Sequence, residues 1–202
     1  MTDIVMLTAA GLALGAMYAL VALGFSVIYR ASRVFNFAHG ELLGIGAFSM
    51  TSLVGAGLPW PVALAIAMAI TGLVAMVVER SVVRPMIGRP VFVTIILTLF
   101  AALLLRAITI IIWGVQPRAI ADPLGDAGLT VGGAEIPYQT LSQIGVAVLA
   151  LGGFFAILKY SKLGIGMRAT STDQEVALAL GIPVRRILGS TWFLAGMLAG
   201  LA

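Results

Sequence analysis

The side chains best suited to chemistry in this chain lie in one short polar interruption, Arg33-Val34-Phe35-Asn36-Phe37-Ala38-His39-Gly40-Glu41, between two long apolar runs. Asn36 offers a donor and an acceptor without charge, and His39, the sole histidine, can donate or accept a hydrogen bond to a polar solute. Glu41 adds a carboxylate. Polar groups at membrane depth are costly unless they are used, and Gly40 weakens the helix in a way that suits backbone bending to line a cavity. One reading therefore makes Asn36, His39 and Glu41 the lining of a pathway. The other makes Asn36 the cap of the second helix, with His39 and Glu41 in its first turn at the water interface, where the helix dipole favours Glu41. Both readings stand for His39 and Glu41. For Asn36 the capping role is preferred, because asparagine is a favoured cap. A lone histidine without clustered partners falls short of a metal-ligand set, so no metal site is expected.

A second constellation runs Gly164-Ile165-Gly166-Met167-Arg168-Ala169-Thr170-Ser171-Thr172-Asp173-Gln174-Glu175-Val176-Ala177-Leu178-Ala179-Leu180-Gly181-Ile182-Pro183. Thr172 with Glu175 three residues on makes a capping box, Asp173 suits the first turn, and Gly181 followed by Pro183 supplies a stop. The result is a helix of about two turns from Asp173 to Leu180, too short to persist alone in water. It must pack on the membrane surface, on the ends of its own bundle, or in a groove on another protein. Small Ala177 and Ala179 beside Val176 and Leu180 would fit such a groove. Arg106 lies about two turns, some 10 Å, before Trp113. It can snorkel outward or pair with Asp122 or Asp126, or it can attract a substrate carboxylate at an outer mouth. Glu79 beside Arg80 reads as an interface anchor, and Trp60, Trp113 and Trp192 fall near span ends, as interface tryptophans do.

The elements that carry these residues follow from composition. With 61% hydrophobic and 10% charged residues over 202 positions, and a mean hydropathy of +1.12, the chain is an integral membrane protein. A pI near 10.0 would suit nucleic acid, but Lys and Arg sit in short loops between apolar runs, as cytoplasmic anchors do, so no nucleic-acid role is expected. The chain contains no cysteine, which excludes disulfides and thiolate metal sites. No basic region precedes the first apolar run, which therefore reads as a retained span. Six segments approach the roughly 20 residues a crossing helix needs: Ile4 to Tyr29, Leu42 to Leu58, Pro61 to Val78, Val91 to Trp113, Gln139 to Leu158, and Ile187 onward. The fold class is all-α, a polytopic transmembrane helix bundle of about six spans. The sixth stops at Ala202 without an anchor, so the chain is expected to be C-terminally incomplete.

Arg80, Arg84 and Arg89 crowd the third connection, and Lys159, Lys162, Arg168, Arg185 and Arg186 the fifth, which places both in the cytoplasm. Gly114 to Tyr138, with Asp122, Asp126 and Glu135 against Arg118, reads as an outer loop with a tight turn at Val131-Gly132-Gly133. Arg30 and Arg33 then lie inside, unless the polar interruption sits within the membrane as broken helix. Small residues recur at four-residue spacing in Gly11, Gly15 and Ala19, in Gly40 and Gly44, and in Gly196 and Gly200, consistent with close backbone approach in a packed bundle.

Enzymatic chemistry lacks its parts. Ser26, Ser32 and Ser49 have no Gly-x-Ser-x-Gly setting, no His-Glu-x-x-His occurs, and no Gly-x-x-x-x-Gly-Lys-Ser/Thr phosphate cradle is present, so no catalytic residue is assigned. A self-sufficient channel or ion-coupled transporter remains a competing class, since Asn36, His39, Glu41 and Arg106 could form a relay. Dependence on an ATPase separates the two classes.

Arg33 to Glu41 with the following Gly44-Ile45-Gly46-Ala47-Phe48, and later Gly166-Met167-Arg168-Ala169 through Glu175 to Leu180-Gly181-Ile182, resemble the inner-membrane permease subunits of branched-chain amino acid ABC importers, of the LivH type. The resemblance runs from Gly11 to the last residue. It implies that residues 1–202 form a permease domain, incomplete at its C-terminus, in the bacterial inner membrane. Such a domain moves leucine, isoleucine and valine inward by alternating access, without chemical change. The implied partners are a second, LivM-like permease, two cytoplasmic ABC ATPases, a periplasmic amino-acid-binding protein and membrane lipid. ATP would be used by the partners, with no cofactor bound by this chain. The resemblance makes residues of about 159–186 the coupling loop, with Arg168, Thr172, Asp173, Glu175, Val176, Ala177, Leu180 and Gly181 as its ATPase-coupling residues. Valine stands in the middle of Glu175-Val176-Ala177, where the family's loop carries Glu-Ala-Ala. Asn36, Phe37, His39, Glu41 and Arg106 become the pathway candidates. A permease for urea or short amides, whose motifs are similar, is the alternative substrate reading.

Overall fold

The computed structural model describes residues 2–86, 90–119, 125, 127–131 and 133–202, without the side chains of 91, 131, 134, 174 and 175. Each of the six apolar segments becomes a helix: α1 (Thr2–Ser32), α2 (His39–Gly55), α3 (Trp60–Val78), α4 (Val91–Trp113), α5 (Tyr138–Tyr160) and, at the end, α8 (Val184–Leu201). Two short helices, α6 (Lys162–Thr172) and α7 (Gln174–Ala179), lie between the last two long ones. Prolines 59, 90, 137 and 183 stand directly before α3, α4, α5 and α8. A residue with fixed φ and no N–H ends the preceding segment and opens a helix at no cost to the hydrogen-bond ladder.

Among the described residues, α1, α3 with its extension to Met86, α4 and α5 are long and apolar enough to cross a membrane. The other two helices fall short of that measure. At 17 residues, α2 is only about 25 Å long, less than a hydrocarbon core of roughly 30 Å. Arg185 and Arg186 occupy the first turn of α8. Both helices lie inside the bundle, where neighbouring protein rather than lipid meets their surface.

The connection between α4 and α5 adds an element to the all-α expectation. Strands β1 (Gly128–Val131) and β2 (Ala134–Pro137) pair antiparallel, with Val131 opposite Ala134 at the closed end. Gly133 sits at φ 84° in that turn, a conformation glycine adopts without strain. Residue 132 of the expected turn lies outside the described residues. Ile136 turns into the bundle, and Gly133 comes up against Thr2 at the start of α1.

The interior is organised around α8. On one side it runs antiparallel to α3, and glycines bring the two backbones together. A methyl group at Gly196 would come 2.6 Å from both Ala75 Cβ and the Thr71 carbonyl oxygen, and one at Gly72 would come 2.9 Å from the Phe193 ring. Gly200 meets Thr71 and, through the same gap, Gly46 of α2. The Gly196/Gly200 pair is thus a contact face, whereas Gly11, Gly15, Gly40 and Gly44 have open space before them. On the other side, Leu188 and Leu198 of α8 join Leu20 and Val27 of α1, Phe154 of α5 and Met167 of α6 in a second apolar cluster. Trp192, expected near an interface, is instead 0% exposed at mid-helix, in the cluster with Ile28, Leu42, Ala75 and Ala195. The small residues around it leave room for one large ring, and α8 begins three residues earlier than the apolar run suggested.

Candidate functional site

Chemistry-bearing residues gather in two places, the polar turn after α1 and the helix pair α6–α7. Arg33 takes the left-handed conformation, φ 56°, and reverses the chain. Residues 33 to 39 then run back along α1, with Phe35 stacked on Tyr29 at 4.4 Å and His39 edge-on to Phe25 at 6.2 Å. The His39 ring lies against Gly24, where an added methyl group would come 2.8 Å from it. Gly24 precedes the end of α1 by eight residues (32 − 24), so α2 begins about 12 Å up the bundle from that end. The polar interruption is broken helix packed within the bundle.

Non-helical backbone packed there must find its partners within the protein. Asn36 Oδ1 accepts from the Ala38 N–H at 3.1 Å, the Asn36 carbonyl accepts from the His39 N–H at 3.2 Å, and the Phe35 carbonyl accepts from the Thr98 hydroxyl of α4 at 3.2 Å. Asn36 therefore closes a turn just ahead of α2 and does not cap the helix as its residue type suggested: the N-cap is Ala38, which has no side-chain cap bond. Both Asn36 and His39 are buried, 1% and 3% exposed. Asn36 Nδ2 and both ring nitrogens of His39 close no hydrogen bond among the described residues, although the Val21 carbonyl of α1 faces the ring. Phe37 is exposed. Glu41 turns toward α4, where its Oε1 lies 3.7 Å from Arg106 Nε. The acids considered for Arg106 from sequence, Asp122 and Asp126, lie outside the described residues.

The second place is built on a tight corner. Ser161 Oγ accepts from the Gly164 N–H at 3.1 Å and caps α6, and Arg168 Nη1 donates to the Leu158 carbonyl at 2.6 Å, closing the end of α5. Gly164 is the residue that lets α6 fold back onto Leu158. At the junction with α7 the cap sits one residue later than the Thr172–Glu175 box. Thr172 is the last residue of α6, and its hydroxyl donates back to the Arg168 carbonyl at 3.0 Å. Asp173, extended at φ −155° and ψ 119°, accepts the Val176 N–H on Oδ1 at 3.0 Å. The Thr172 hydroxyl is turned back along α6, and the carboxylate that meets the first free N–H of α7 is that of Asp173. At the far end the Gly181 N–H donates to Leu178 and the Ile182 N–H to Ala177, both at 3.0 Å, with Gly181 at φ 78°. That is the glycine-terminated closure expected of the Gly181 stop.

Ala177 is the residue by which α7 holds the bundle, buried with Val184 and Met167. Val176, Leu178 and Leu180 face outward at 53%, 56% and 74% exposure. Ala177 thus points inward and not into an external groove, and Leu178, unremarked in the sequence, takes its place on the outer face. A six-residue helix turned by its buried alanine is the signal that could have found it. Beside α7, Arg33 Nη2 donates to the Ser171 carbonyl at 3.1 Å. An opening of about 470 Å³ separates Tyr29, Arg33 and Phe35 from Thr170 to Asp173.

Compared with known families, residues 7–202 match the profile described as branched-chain amino acid transport system / permease component. The chain belongs to this family. Its relatives include the Pseudomonas aeruginosa high-affinity branched-chain amino acid transport system permease protein BraD, 26% identical over 95% of this chain and 67% of that protein. The Escherichia coli K12 permease protein LivH is likewise 26% identical over 95% and 67% of the two chains. A probable branched-chain amino acid transport permease protein LivH from Methanocaldococcus jannaschii is 26% identical over 91% and 60%. No solved structure shows a significant match. Family membership covers both the polar turn and the α6–α7 pair.

Proposed function

We propose that this chain is a permease subunit of an ATP-driven importer of branched-chain amino acids in the bacterial inner membrane, with α7 as the element on which a cytoplasmic ATPase docks. The observation that carries the docking is the outer face of α7. A helix of six residues is held at both ends and by Ala177, yet presents Val176, Leu178 and Leu180 outward at the arginine-rich end of the bundle. Val176 and Leu180 lie on one flank of the buried Ala177 and Leu178 on the other, and exposed apolar side chains on both flanks of a fixed helix favour a protein groove. Asp173, Glu175 and Gly181 belong to this docking unit, and Arg168 and Thr172 stiffen the helix before it. A second, LivM-like permease and a periplasmic amino-acid-binding protein complete the assembly.

The translocation path is assigned to the α2–α4 side of the polar turn. Exposed Phe37 and Arg106 with half-buried Glu41 offer an apolar surface beside a carboxylate and a guanidinium, which matches the two ends of a zwitterion with an aliphatic side chain. Asn36 and His39 sit behind that surface and hold its backbone. The test is recovery of the tagged, full-length subunit from detergent-solubilised native membrane, with mass spectrometry of what remains bound. A second permease and an ATPase carrying the phosphate-cradle motif are expected, and Leu178→Asp is expected to lower ATPase recovery while membrane insertion persists. A subunit recovered alone, with substrate flux independent of ATP, would favour the channel reading instead.

A further inference from the structure

At the cytoplasmic end of α3 the chain leaves α-helical geometry. Glu79–Val83 is one turn of π-helix and Arg84–Met86 a 3₁₀ turn. The Arg84 N–H donates to the Glu79 carbonyl, five residues back. On an α-helix, residues five apart point in different directions, whereas the wider turn stacks them. Glu79 and Arg84 therefore meet face to face: Nε donates to Oε1 at 3.0 Å and Nη2 to Oε2 at 2.6 Å. The Glu79 side chain is 1% exposed, so the interface-anchor expectation gives way to a buried, bidentate pair. Arg84 Nη2 makes a third bond, at 3.1 Å, to the carbonyl of Arg185 in the first turn of α8. Gly189 on the next turn lies against both members of the pair, with an added methyl group 3.4 Å from Arg84 Nη2 and 3.7 Å from Glu79 Oε2.

The position of this pair is what gives it a use. Only Gly181, Ile182 and Pro183 separate Leu180, the exposed residue that follows α7, from the start of α8. Held by its two bonds to Glu79, the Arg84 guanidinium reaches across to the Arg185 carbonyl and so ties the first turn of α8 to the end of α3. Single-turn π-helices concentrate at functional sites, and a buried ion pair is an expensive way to gain stability alone, since well-packed apolar residues often do as well.

We infer that Glu79 and Arg84 form a rigid link that carries movement of α7, through the first turn of α8, into α3. The pair positions the transmission and touches no substrate. This inference rests on the reading of α7 as the ATPase-docking helix. When α7 is displaced, the guanidinium passes the movement from the first turn of α8 to the end of α3, below the glycine seam that packs the two helices further along.

The test uses the full transporter complex in proteoliposomes and measures substrate taken up per ATP hydrolysed. Arg84→Lys keeps the charge but loses the planar fork, and Glu79→Gln with Arg84→Met removes both charges and leaves a packable apolar contact. In both variants ATPase co-purification is expected to persist, while uptake per ATP falls roughly 3- to 30-fold. A purely stabilising pair would give a different pattern: the neutral pair would restore thermal stability and coupling together. An unchanged uptake-to-ATP ratio in the assembled neutral pair overturns the link. Undiminished ATPase recovery with Leu178→Asp would instead refute the docking reading beneath it. The two failures are read from different samples.

Discussion

Helices α8 and α4 both start from the same end of the bundle and run through it in parallel, yet they are held in opposite ways. In α8 the contact with α3 is made by Gly196, Gly200, Gly72, Ala75 and Thr71, and the surface is covered by protein over most of its length. In α4, Phe92, Phe100, Leu103, Leu104 and Ile111 all face outward, while Thr94, Thr98, Ala101, Leu105 and Thr109 are buried. Three polar contacts tie α4 to the chain around α2: Thr98 to the Phe35 carbonyl, Arg106 to Glu41, and Trp113 Nε1 to Ser52 Oγ at 2.7 Å. The lesson is one of solvent. Lipid is as apolar as leucine, so hydrophobicity does not drive a membrane helix inward, and small or weakly polar residues mark the interior instead.

The largest expected effect breaks the seam. Gly196→Leu would drive a side chain into Ala75 and the backbone of Thr71, where neither can retreat without moving α3. Even Gly196→Ala is expected to destabilise by about 1–3 kcal/mol, the range for overpacking. Gly44→Leu, with open space before it, should stay within roughly 0.5 kcal/mol. Thermal melting of the detergent-isolated subunit compares them, and equal melting temperatures for the two leucine variants would refute the seam as the organising contact.

A smaller effect sharpens the other side of the comparison. Thr98 and Thr109 are both buried on α4, and both hydroxyls donate to their own helix, but only Thr98 shares its single hydrogen with the broken backbone, between the Ile95 carbonyl at 2.9 Å and the Phe35 carbonyl at 3.2 Å. Thr98→Val should cost about 1 kcal/mol, the usual value of a lost hydrogen bond. Thr109→Val should be nearly neutral. If the two behave alike in melting experiments, the polar turn does not depend on α4 for its hydrogen bonds.

The helices themselves were legible because apolar length and proline placement are local properties. What the sequence could not reveal was which helix is central. Gly11/Gly15, Gly40/Gly44 and Gly196/Gly200 share one spacing, but only the last meets another backbone, and spacing carries no information about what lies opposite. A polar turn around Asn36 was readable from residue type, but its place was not: Asn36 bonds the Ala38 N–H ahead of the helix and leaves Ala38 as the N-cap. Glu79 and Arg84 were not readable as a pair, because their meeting depends on a π-turn that α-helical periodicity hides. The one-residue shift from Thr172 to Asp173 has a similar origin. Both are good caps, and the choice follows from where α6 ends: Thr172 is still helical, whereas Asp173 is extended and accepts the Val176 N–H.

The smallest stability effect belongs to Glu41 and Arg106, and it separates what holds α4 from what works beside it. Their nitrogen–oxygen distance of 3.7 Å exceeds a good hydrogen bond, and the Arg106 side chain is 67% exposed against 26% for Glu41. An open pair of this kind contributes about 0–1 kcal/mol. Arg106→Gln should therefore leave the melting temperature nearly unchanged, in contrast to Thr98→Val. If the guanidinium faces the path, uptake should still fall, through a raised KM, because a substrate carboxylate loses its counter-charge. A double-mutant cycle with Glu41→Gln measures the coupling directly. A coupling energy well above 1 kcal/mol would mean that the pair is a structural tie like Thr98. Unchanged uptake with unchanged stability would remove both residues from the path and leave Arg106 a snorkelling side chain on a lipid-facing helix.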